Sequence, residues 1–205
     1  MKISLTKIGK RYNSDWIFRN LDYEFRAGKH YAITGPNGSG KSTLLQIISG
    51  ATIFNEGTIC YAENKTQITI ENIFHKIAFT APYLEVIEEM TLIEFFNFHG
   101  KMKGWLEELN TQKIIEASGL ENAAHKQIRY YSSGMKQRVK ITQAILSNAP
   151  VVLLDEPLTN LDEDGMSLYH GLIKKFCANR LLIVSSNDKN EYSFCDEILD
   201  IRQYK

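Results

Sequence analysis

The stretch GPNGSGKST, Gly35–Thr43, decides the fold of this chain. It follows the apolar segment HYAIT and precedes the periodic apolar segment LLQII, so a strand, a glycine-rich loop and a helix come in succession. This order is the context that the P-loop pattern GxxxxGK[ST] requires. A chance glycine turn before a helix is the alternative, but every element of the pattern is present, and the sequence therefore predicts a phosphate-binding loop.

The residue types in this loop suit a phosphate and its counterion. Gly35, Gly38 and Gly40 let the backbone fold around a phosphate and direct its amides inward, and the N-terminus of the following helix attracts anions. Lys41 is expected to reach the β- and γ-phosphates. Ser42 supplies a hard oxygen ligand for Mg²⁺. The remaining residues expected to bind the nucleotide here are Pro36, Asn37, Ser39 and Thr43.

A second acidic segment, VVLLDEP, completes the predicted site. Its continuous apolar run is typical of a parallel strand buried on both faces. Asp155 at the end of the strand is expected to hold Mg²⁺ through water, and Glu156 to polarise an attacking water as general base. Alone, the two acids equally fit a solvated strand end. Together with the P-loop they predict a site for ATP hydrolysis.

The rest of the chain alternates strand and helix patterns, which favours an α/β layered fold. Thr91 and Glu94 form a capping-box pattern at the start of one helix, and Gly119 closes another that is expected to begin at Trp105. The other predicted strands are KISLTKIGKRY, LDYEFR, GTICYAE, KIAFT and RLLIVSS, and the other predicted helices are MKQRVKITQAILSN and DGMSLYHGLIKKF.

Composition excludes several classes of protein. The 205 residues carry 24 Lys+Arg and 24 Asp+Glu, so the overall charge gives no footprint for nucleic acid or anionic lipid, although a local basic patch stays open. No apolar run is long enough to span a bilayer, and the N-terminal segment lacks the apolar region of a secretory signal. The three cysteines are scattered without a CxxC pair, which argues against a metal site or a disulfide.

The segment YYSSGMKQR, Tyr130–Arg138, indicates which family of P-loop proteins the chain resembles. Ser132 or Ser133 fits a plain helix N-cap. With the P-loop and the acidic strand, however, the whole chain resembles the ATP-binding subunit of ABC transporters. In that family this position carries the signature motif, usually Leu-Ser-Gly-Gly-Gln. The variant here keeps Ser132 and Gly134 at the second and fourth places.

The resemblance implies a P-loop NTPase core of the ABC ATPase type with an antiparallel β subdomain and an inserted α-helical subdomain. Residues 1–205 would form a single domain. The core and the β subdomain would take about 1–83 and 131–205, and the helical subdomain about 84–130. The implied ligands are ATP and Mg²⁺.

The resemblance also implies a head-to-tail pair of subunits, either two copies or one copy with a related ATPase, with ATP between them. Ser132, Ser133 and Gly134 would face the γ-phosphate bound to the other subunit, and Asp162 would touch that subunit. Tyr12 matches the aromatic residue that stacks on adenine. A strand-edge tyrosine and a helix N-cap are the respective alternatives for Tyr12 and Asp162.

An integral-membrane permease is the implied partner, which would place the chain in the cytoplasm at the inner face of the membrane. The helical segment would receive the permease, although its aromatic residues more often belong to a core; these are Phe95, Phe96, Phe98 and Trp105.

The small size, the absence of a C-terminal regulatory domain and the YSSGMKQR variant favour an exporter, and the haem-exporter ATPase of cytochrome c maturation is one candidate. An ATP-dependent clamp with little turnover is the alternative. A soluble ABC protein acting on DNA or ribosomes is disfavoured, because it would need coiled-coil insertions or a second tandem domain and the chain is too short for either.

Two positions depart from the family pattern. The glutamine expected after KIAFT is replaced by Ala81-Pro82-Tyr83, and Gln67 lies too early, so water is expected to supply the usual oxygen ligand. The histidine expected after RLLIVSS is replaced by Asn187, which can donate a neutral hydrogen bond but cannot carry a positive charge. A weakened bond there would slow the reaction by roughly tenfold to a hundredfold, unless Glu156 suffices alone.

Overall fold

The computed structural model describes residues 1–64 and 66–205. Its strands are β1 (Lys2–Tyr12), β2 (Asp15–Arg26), β3 (His30–Thr34), β4 (Glu56–Glu63), β5 (Thr66–Ile68), β6 (Ile77–Thr80), β7 (Val151–Asp155), β8 (Leu181–Ser185) and β9 (Glu197–Asp200). Its α-helices are α1 (Lys41–Ile48), α2 (Leu92–Lys103), α3 (Thr111–Ser118), α4 (Ser133–Leu146), α5 (Glu163–Phe176) and α6 (Lys189–Tyr192).

The strands form two sheets of different kinds. An antiparallel sheet has the order β2-β1-β4-β5, and a parallel sheet has the order β6-β7-β8-β3-β9. The predicted α/β core with an antiparallel β subdomain is therefore confirmed. In the parallel sheet the strand before the P-loop is bonded to β8, and β8 is bonded to the acidic strand β7.

The central strands of the parallel sheet are buried because both of its faces are covered there. Every residue of β7 and β8 is buried. Along β7, Val151 and Leu153 pack with α1 and the antiparallel sheet, whereas Val152 and Leu154 pack with α4 and α5. Side chains that alternate between two apolar layers explain why the strand reads as a continuous apolar run.

The segment 84–130 contributes α2 and α3 to the second of these layers. The Thr91 hydroxyl accepts the Glu94 N–H, and the Glu94 carboxylate accepts the Thr91 N–H, which confirms the predicted capping box. Phe95 and Phe96 are buried with residues of α4, β7 and β8, as expected of core residues, and Trp105 packs partly buried against them. Phe98 is exposed. The limits of a separate helical subdomain stay an interpretation.

The helix predicted to begin at Trp105 starts six residues later, at Thr111. The Asn110 side chain accepts the Lys113 N–H at 3.0 Å and caps α3 at that point. The preceding residues are instead tied to the end of α4, where the Leu106 N–H donates to the Leu146 carbonyl at 3.0 Å. This long-range backbone contact overrides the local helical pattern. Gly119 ends α3 with a left-handed backbone, as predicted.

Three short elements, β5, α6 and β9, have no counterpart in the sequence prediction. Gln67 lies on β5, opposite Ala62 of the antiparallel sheet, and so belongs to a different element from the strand KIAFT. β9 adds an edge to the parallel sheet beside β3. Among the described residues, no helix has both the length and the apolar character needed to cross a membrane.

Candidate functional site

Three loops meet at the carboxyl edge of the parallel sheet. Ile33 near the end of β3 and Asp155 at the end of β7 are both in register with Ser185 of β8. The P-loop, the acidic pair and the turn that contains Asn187 therefore leave the sheet side by side. In open α/β sheets, this edge is where ligands bind.

The P-loop turns tightly between β3 and α1, and its central turn is closed by the Ser39 N–H, which donates to the Pro36 carbonyl at 3.0 Å. Gly40 caps α1 with φ of 105°, and a Cβ at this position would lie 2.4 Å from Ile17 Cγ2. Both the backbone angle and the close approach require glycine. Ile17, on β2, is a part of the site that no sequence motif indicated.

A cavity of about 200 Å³, here called the P-loop cavity, brings together most of the predicted phosphate-binding residues; its lining comprises Ile17, Asn37, Gly38, Gly40, Lys41, Ser42, Thr43 and Glu156. Lys41 is 5% exposed. Its ammonium donates to the Gly35 carbonyl at 2.8 Å and the Pro36 carbonyl at 3.4 Å, so the charge is held within the loop. Pro36 is exposed at the tip of the loop, whereas Ser39 is buried beneath it.

Asp155 is a buried carboxyl group that suits a cation. It is 2% exposed, and neither carboxyl oxygen has a hydrogen-bond partner among the residues described. Burial raises its pKa, whereas the neighbouring hydroxyls of Ser42 and Ser185 and the charge of Lys41 lower it. An unsatisfied buried carboxylate next to a serine hydroxyl is a hard oxygen donor set, so these residues fit Mg²⁺.

Glu156 follows Asp155 directly, but its backbone turns away from the strand. Its φ of 44° lies in the left-handed region, which is unusual for a residue with a side chain. Its N–H donates to the Ser185 carbonyl at 2.9 Å, and Thr159 Oγ1 donates to its carbonyl at 2.9 Å. This conformation places Glu156 at the P-loop cavity and also at a second cavity that contains Asn187. Strained backbone of this kind is concentrated at functional sites.

Asn187 contacts the P-loop directly. Its Oδ1 accepts the Gly35 N–H at 3.2 Å, and its Nδ2 donates to Asn37 Oδ1 at 3.2 Å. The side chain is therefore a bridge between the end of β8 and the phosphate-binding loop. Its predicted contact with a γ-phosphate remains a prediction.

Tyr83 places an oxygen near the position of the missing glutamine. Its hydroxyl accepts a hydrogen bond from Gln46 Nε2 of α1 at 2.9 Å. Burial raises the pKa of Tyr83, the bond from Gln46 lowers it, and the nearby charge of Asp155 raises it further. No sequence pattern indicates this pair, because the phenol hydroxyl of Tyr83, which follows β6, meets an amide on α1 only in three dimensions.

Glu191 is a third carboxyl group at the site, after Asp155 and Glu156, and the sequence did not indicate it. It is 4% exposed, and its Oε1 accepts the Leu158 N–H at 2.7 Å. Burial raises its pKa to about 7, the Ser186 hydroxyl and the Leu158 N–H oppose the rise, and the charges of Glu156 and Asp188 add to it. With Glu156 and Asn187, it lines the second cavity, of about 280 Å³, here called the Glu191 cavity.

The signature residues lie at a different cavity, of about 470 Å³, here called the signature cavity. Its lining includes Ser132, Ser133, Gly134 and Asp162, none of which lines the P-loop cavity. Ser132 caps α4 by accepting the Met135 N–H at 3.2 Å. A Cβ on Gly134 would lie 2.9 Å from a backbone carbonyl oxygen, so glycine is needed here for packing.

Asp162 caps α5 and also pairs with α4. Its Oδ1 accepts the Gly165 N–H at 2.8 Å and a hydrogen bond from Arg138 Nη2 at 2.8 Å. These two bonds, the backbone one first, lower the pKa of Asp162. The N-cap alternative therefore applies, and it leaves the second carboxylate oxygen free for other contacts.

Tyr12 lies at the end of β1, opposite Asp15 in the β1–β2 hairpin. Its ring is half exposed, and the Lys10 ammonium lies 4.6 Å from the ring centroid. The same hairpin reaches the P-loop cavity through Ile17. Stacking of Tyr12 on adenine stays a prediction.

Fold and site together define a P-loop protein of the ABC ATPase class. The family model described as ABC transporter matches residues 18–159. The chain is 30% identical to the ABC transporter ATP-binding protein YybJ of Bacillus subtilis (strain 168) over 207 residues, which cover 97% of this chain and 92% of that protein. The chain therefore belongs to the ABC transporter family, as an ATP-binding subunit with the ATPase domain.

Two further relatives carry names with opposite directions of transport. The cytochrome c biogenesis ATP-binding export protein CcmA of Bradyrhizobium diazoefficiens is 30% identical, with 83% of each chain covered. A protein named for hemin import, HrtA of Staphylococcus aureus (strain MRSA252), is 24% identical, with 100% of this chain and 97% of that protein covered.

The fold also matches a solved structure titled as the dimeric post-hydrolysis state of the ATP-binding cassette MJ0796 bound to ADP and Pi. That structure has a TM-score of 0.82 and 23% identity, with 97% of this chain and 94% of that chain covered. At this identity the likeness establishes the fold.

Proposed function

We propose that this chain hydrolyses ATP at the carboxyl edge of its parallel sheet and thereby powers a membrane transporter, most simply an exporter. The observation that carries the proposal is the buried, unsatisfied carboxyl group of Asp155 beside the hydroxyl of Ser42 and the ammonium of Lys41. A carboxyl group buried without a hydrogen-bond partner costs stability, so its presence here favours a role in binding.

The P-loop residues would bind the triphosphate. The backbone amides and the N-terminus of α1 would hold the phosphates, and Lys41 would exchange its loop carbonyls for the β- and γ-phosphate oxygens. Ser42 and Asp155 would hold Mg²⁺, which supplies charge neutralisation at the phosphates.

Glu156 would act as general base. Its side chain lines the P-loop cavity, where it can accept a proton from a water aligned with the γ-phosphate. Asn187, which already contacts the loop through Gly35 and Asn37, would donate its amide N–H to the transferred phosphoryl group. Because this donor is neutral, the reaction is expected to be slower than with a protonated histidine.

Two subunits would share each nucleotide. The P-loop cavity and the signature cavity have different linings within one chain, so the signature would act on ATP bound to another copy or to a related ATPase. Ser132, Ser133 and the start of α4 at Gly134 would then face the γ-phosphate, and helix N-termini attract anions. Asp162, beside them, would contact the opposing chain through its free oxygen.

An integral-membrane permease would be the second partner, which would hold the chain at the cytoplasmic face of the membrane. Exposed apolar side chains on and near the helical segment support this docking; they are Tyr83, Leu84, Ile87, Phe98 and Met102. The balanced charge of 24 basic and 24 acidic residues gives no support for nucleic acid as a partner. The export direction rests on the signature variant, because the named relatives include both directions.

The assay that separates a motor from a clamp is steady-state ATPase activity with Mg²⁺. The proposal predicts slow, measurable turnover by the wild type and its loss in Glu156→Gln, whereas Glu107→Gln, an exposed glutamate outside the site, keeps the wild-type rate. If wild type and Glu156→Gln are equally inactive but both dimerise with ATP, the chain is a clamp and the proposed motor function is wrong.

A further inference from the structure

The loop between Glu156 and Asp162 is held by side chains from two other elements. Gln137 Nε2 of α4 donates to the Pro157 carbonyl at 2.8 Å. At the next residue, the Leu158 N–H donates to Glu191 Oε1 of α6 at 2.7 Å. Both contacts are buried, and they fix the two residues that directly follow Glu156.

Glu191 is unusual for a residue on a short surface helix. It is 4% exposed, and its second carboxyl oxygen has no hydrogen-bond partner in the part of the chain that the structure describes. Its backbone carbonyl accepts the Tyr169 hydroxyl at 2.8 Å, which anchors α6 to α5. It lines the Glu191 cavity together with Glu156 and Asn187. A buried carboxyl group with one free oxygen is a costly choice for a purely structural contact.

We propose that Glu191 is the positioning residue for Glu156, an inference that rests on the proposed role of Glu156 as general base. Glu156 has a left-handed backbone, which persists only where the surrounding structure holds it. The bond from Leu158 to Glu191 supplies that support two residues along the chain. Because α6 begins directly after the turn at Asn187, the same bond keeps the base and the P-loop bridge in one fixed arrangement.

The experiment compares kcat and KM for ATP in Glu191→Ala, Glu191→Gln and the matched control Asn190→Ala, an exposed neighbour on the same helix. Alanine leaves the buried Leu158 N–H without an acceptor, so kcat is expected to fall about tenfold or more, while KM stays within about twofold because the P-loop is intact. Glutamine offers an amide oxygen to the same N–H, so it is expected to restore kcat to within about threefold of the wild type.

Three results would overturn the inference: an unchanged kcat in Glu191→Ala, a loss expressed entirely in KM, or a glutamine variant as slow as the alanine variant. If Glu191→Ala does not fold, Glu191→Asp replaces it, since the shorter side chain withdraws the carboxyl from Leu158, and an unchanged kcat there overturns the inference equally.

Glu156→Gln is measured alongside to separate a failure of the positioning role from a failure of the proposed base. Activity in that variant refutes the proposed base, whereas an inactive Glu156→Gln with a fully active Glu191→Ala refutes the positioning role alone.

Discussion

Replacing Glu191 by glutamine is expected to stabilise the protein in alkaline solution. The folded protein binds a proton at Glu191 up to about pH 7, whereas the unfolded chain releases it near the ordinary pKa of 4.5. The stability that the neutral carboxyl contributes is therefore complete below pH 4.5 and is lost as the pH rises through 7. Glutamine stays neutral throughout, so its advantage appears as the pH rises.

The size of the effect follows from the raised pKa. Each tenfold change in the protonation equilibrium is worth about 1.4 kcal/mol. Moving the pKa from 4.5 to about 7 therefore lowers the free energy of unfolding of the wild type at pH 8 by about 3 kcal/mol, against less than about 1 kcal/mol at pH 5. The advantage of Glu191→Gln should grow by about 2–3 kcal/mol between these two pH values.

Urea unfolding at pH 5 and pH 8 measures this change, with the exposed Glu107→Gln as control. Taking the difference between the two pH values removes any constant effect of the amide group. If the stability difference between Glu191→Gln and the wild type is the same at both pH values, Glu191 ionises normally in the fold, and the account of a buried neutral carboxyl beside Glu156 is wrong.

Three further substitutions test other parts of the site. Gly40→Ala is expected to lose about 1–3 kcal/mol of stability, with ATP affinity reduced as well, because its φ is 105° and its Cβ would lie 2.4 Å from Ile17. Thermal unfolding and equilibrium dialysis with ATP measure both effects, and wild-type values in both would contradict the P-loop geometry. Asn187→Ala removes the acceptor of the Gly35 N–H and should lower kcat about tenfold; unchanged turnover would show that this side chain has no role in the reaction. Asp162→Ala removes the N-cap of α5 and should lower the midpoint of urea unfolding, with little of the loss due to its exposed pairing to α4, and an unchanged midpoint would contradict that cap.

Much of the fold was predictable because its strongest signals are local. The glycines and lysine of the P-loop, the apolar run that ends at Asp155 and the capping box at Thr91 each lie within a few residues of one another. Their physical requirements, a tight turn, burial on two faces and paired helix-end bonds, are expressed in adjacent positions. The structure reproduces all three.

The features that the sequence did not predict depend on distant partners. Glu191 is 33 positions from Leu158 and Tyr83 is 37 positions from Gln46, so neither contact has a local pattern. The predicted start of α3 was wrong for a related reason, because the backbone hydrogen bond between Leu106 and Leu146 overrides a good helical periodicity. Short elements such as β5 and α6 contain too few residues to show a period.

ATP held between the P-loop cavity of one chain and the signature cavity of another is the central feature of the proposed function. Sedimentation of Glu156→Gln with and without Mg-ATP tests this claim. Monomers are expected without nucleotide and dimers with it. A return to monomers that still bind ATP is expected when Gly134→Asp is added, since that substitution places at the start of α4 both a negative charge and a side chain that would meet a backbone carbonyl oxygen. Dimers that persist without ATP, or that survive Gly134→Asp, would contradict it.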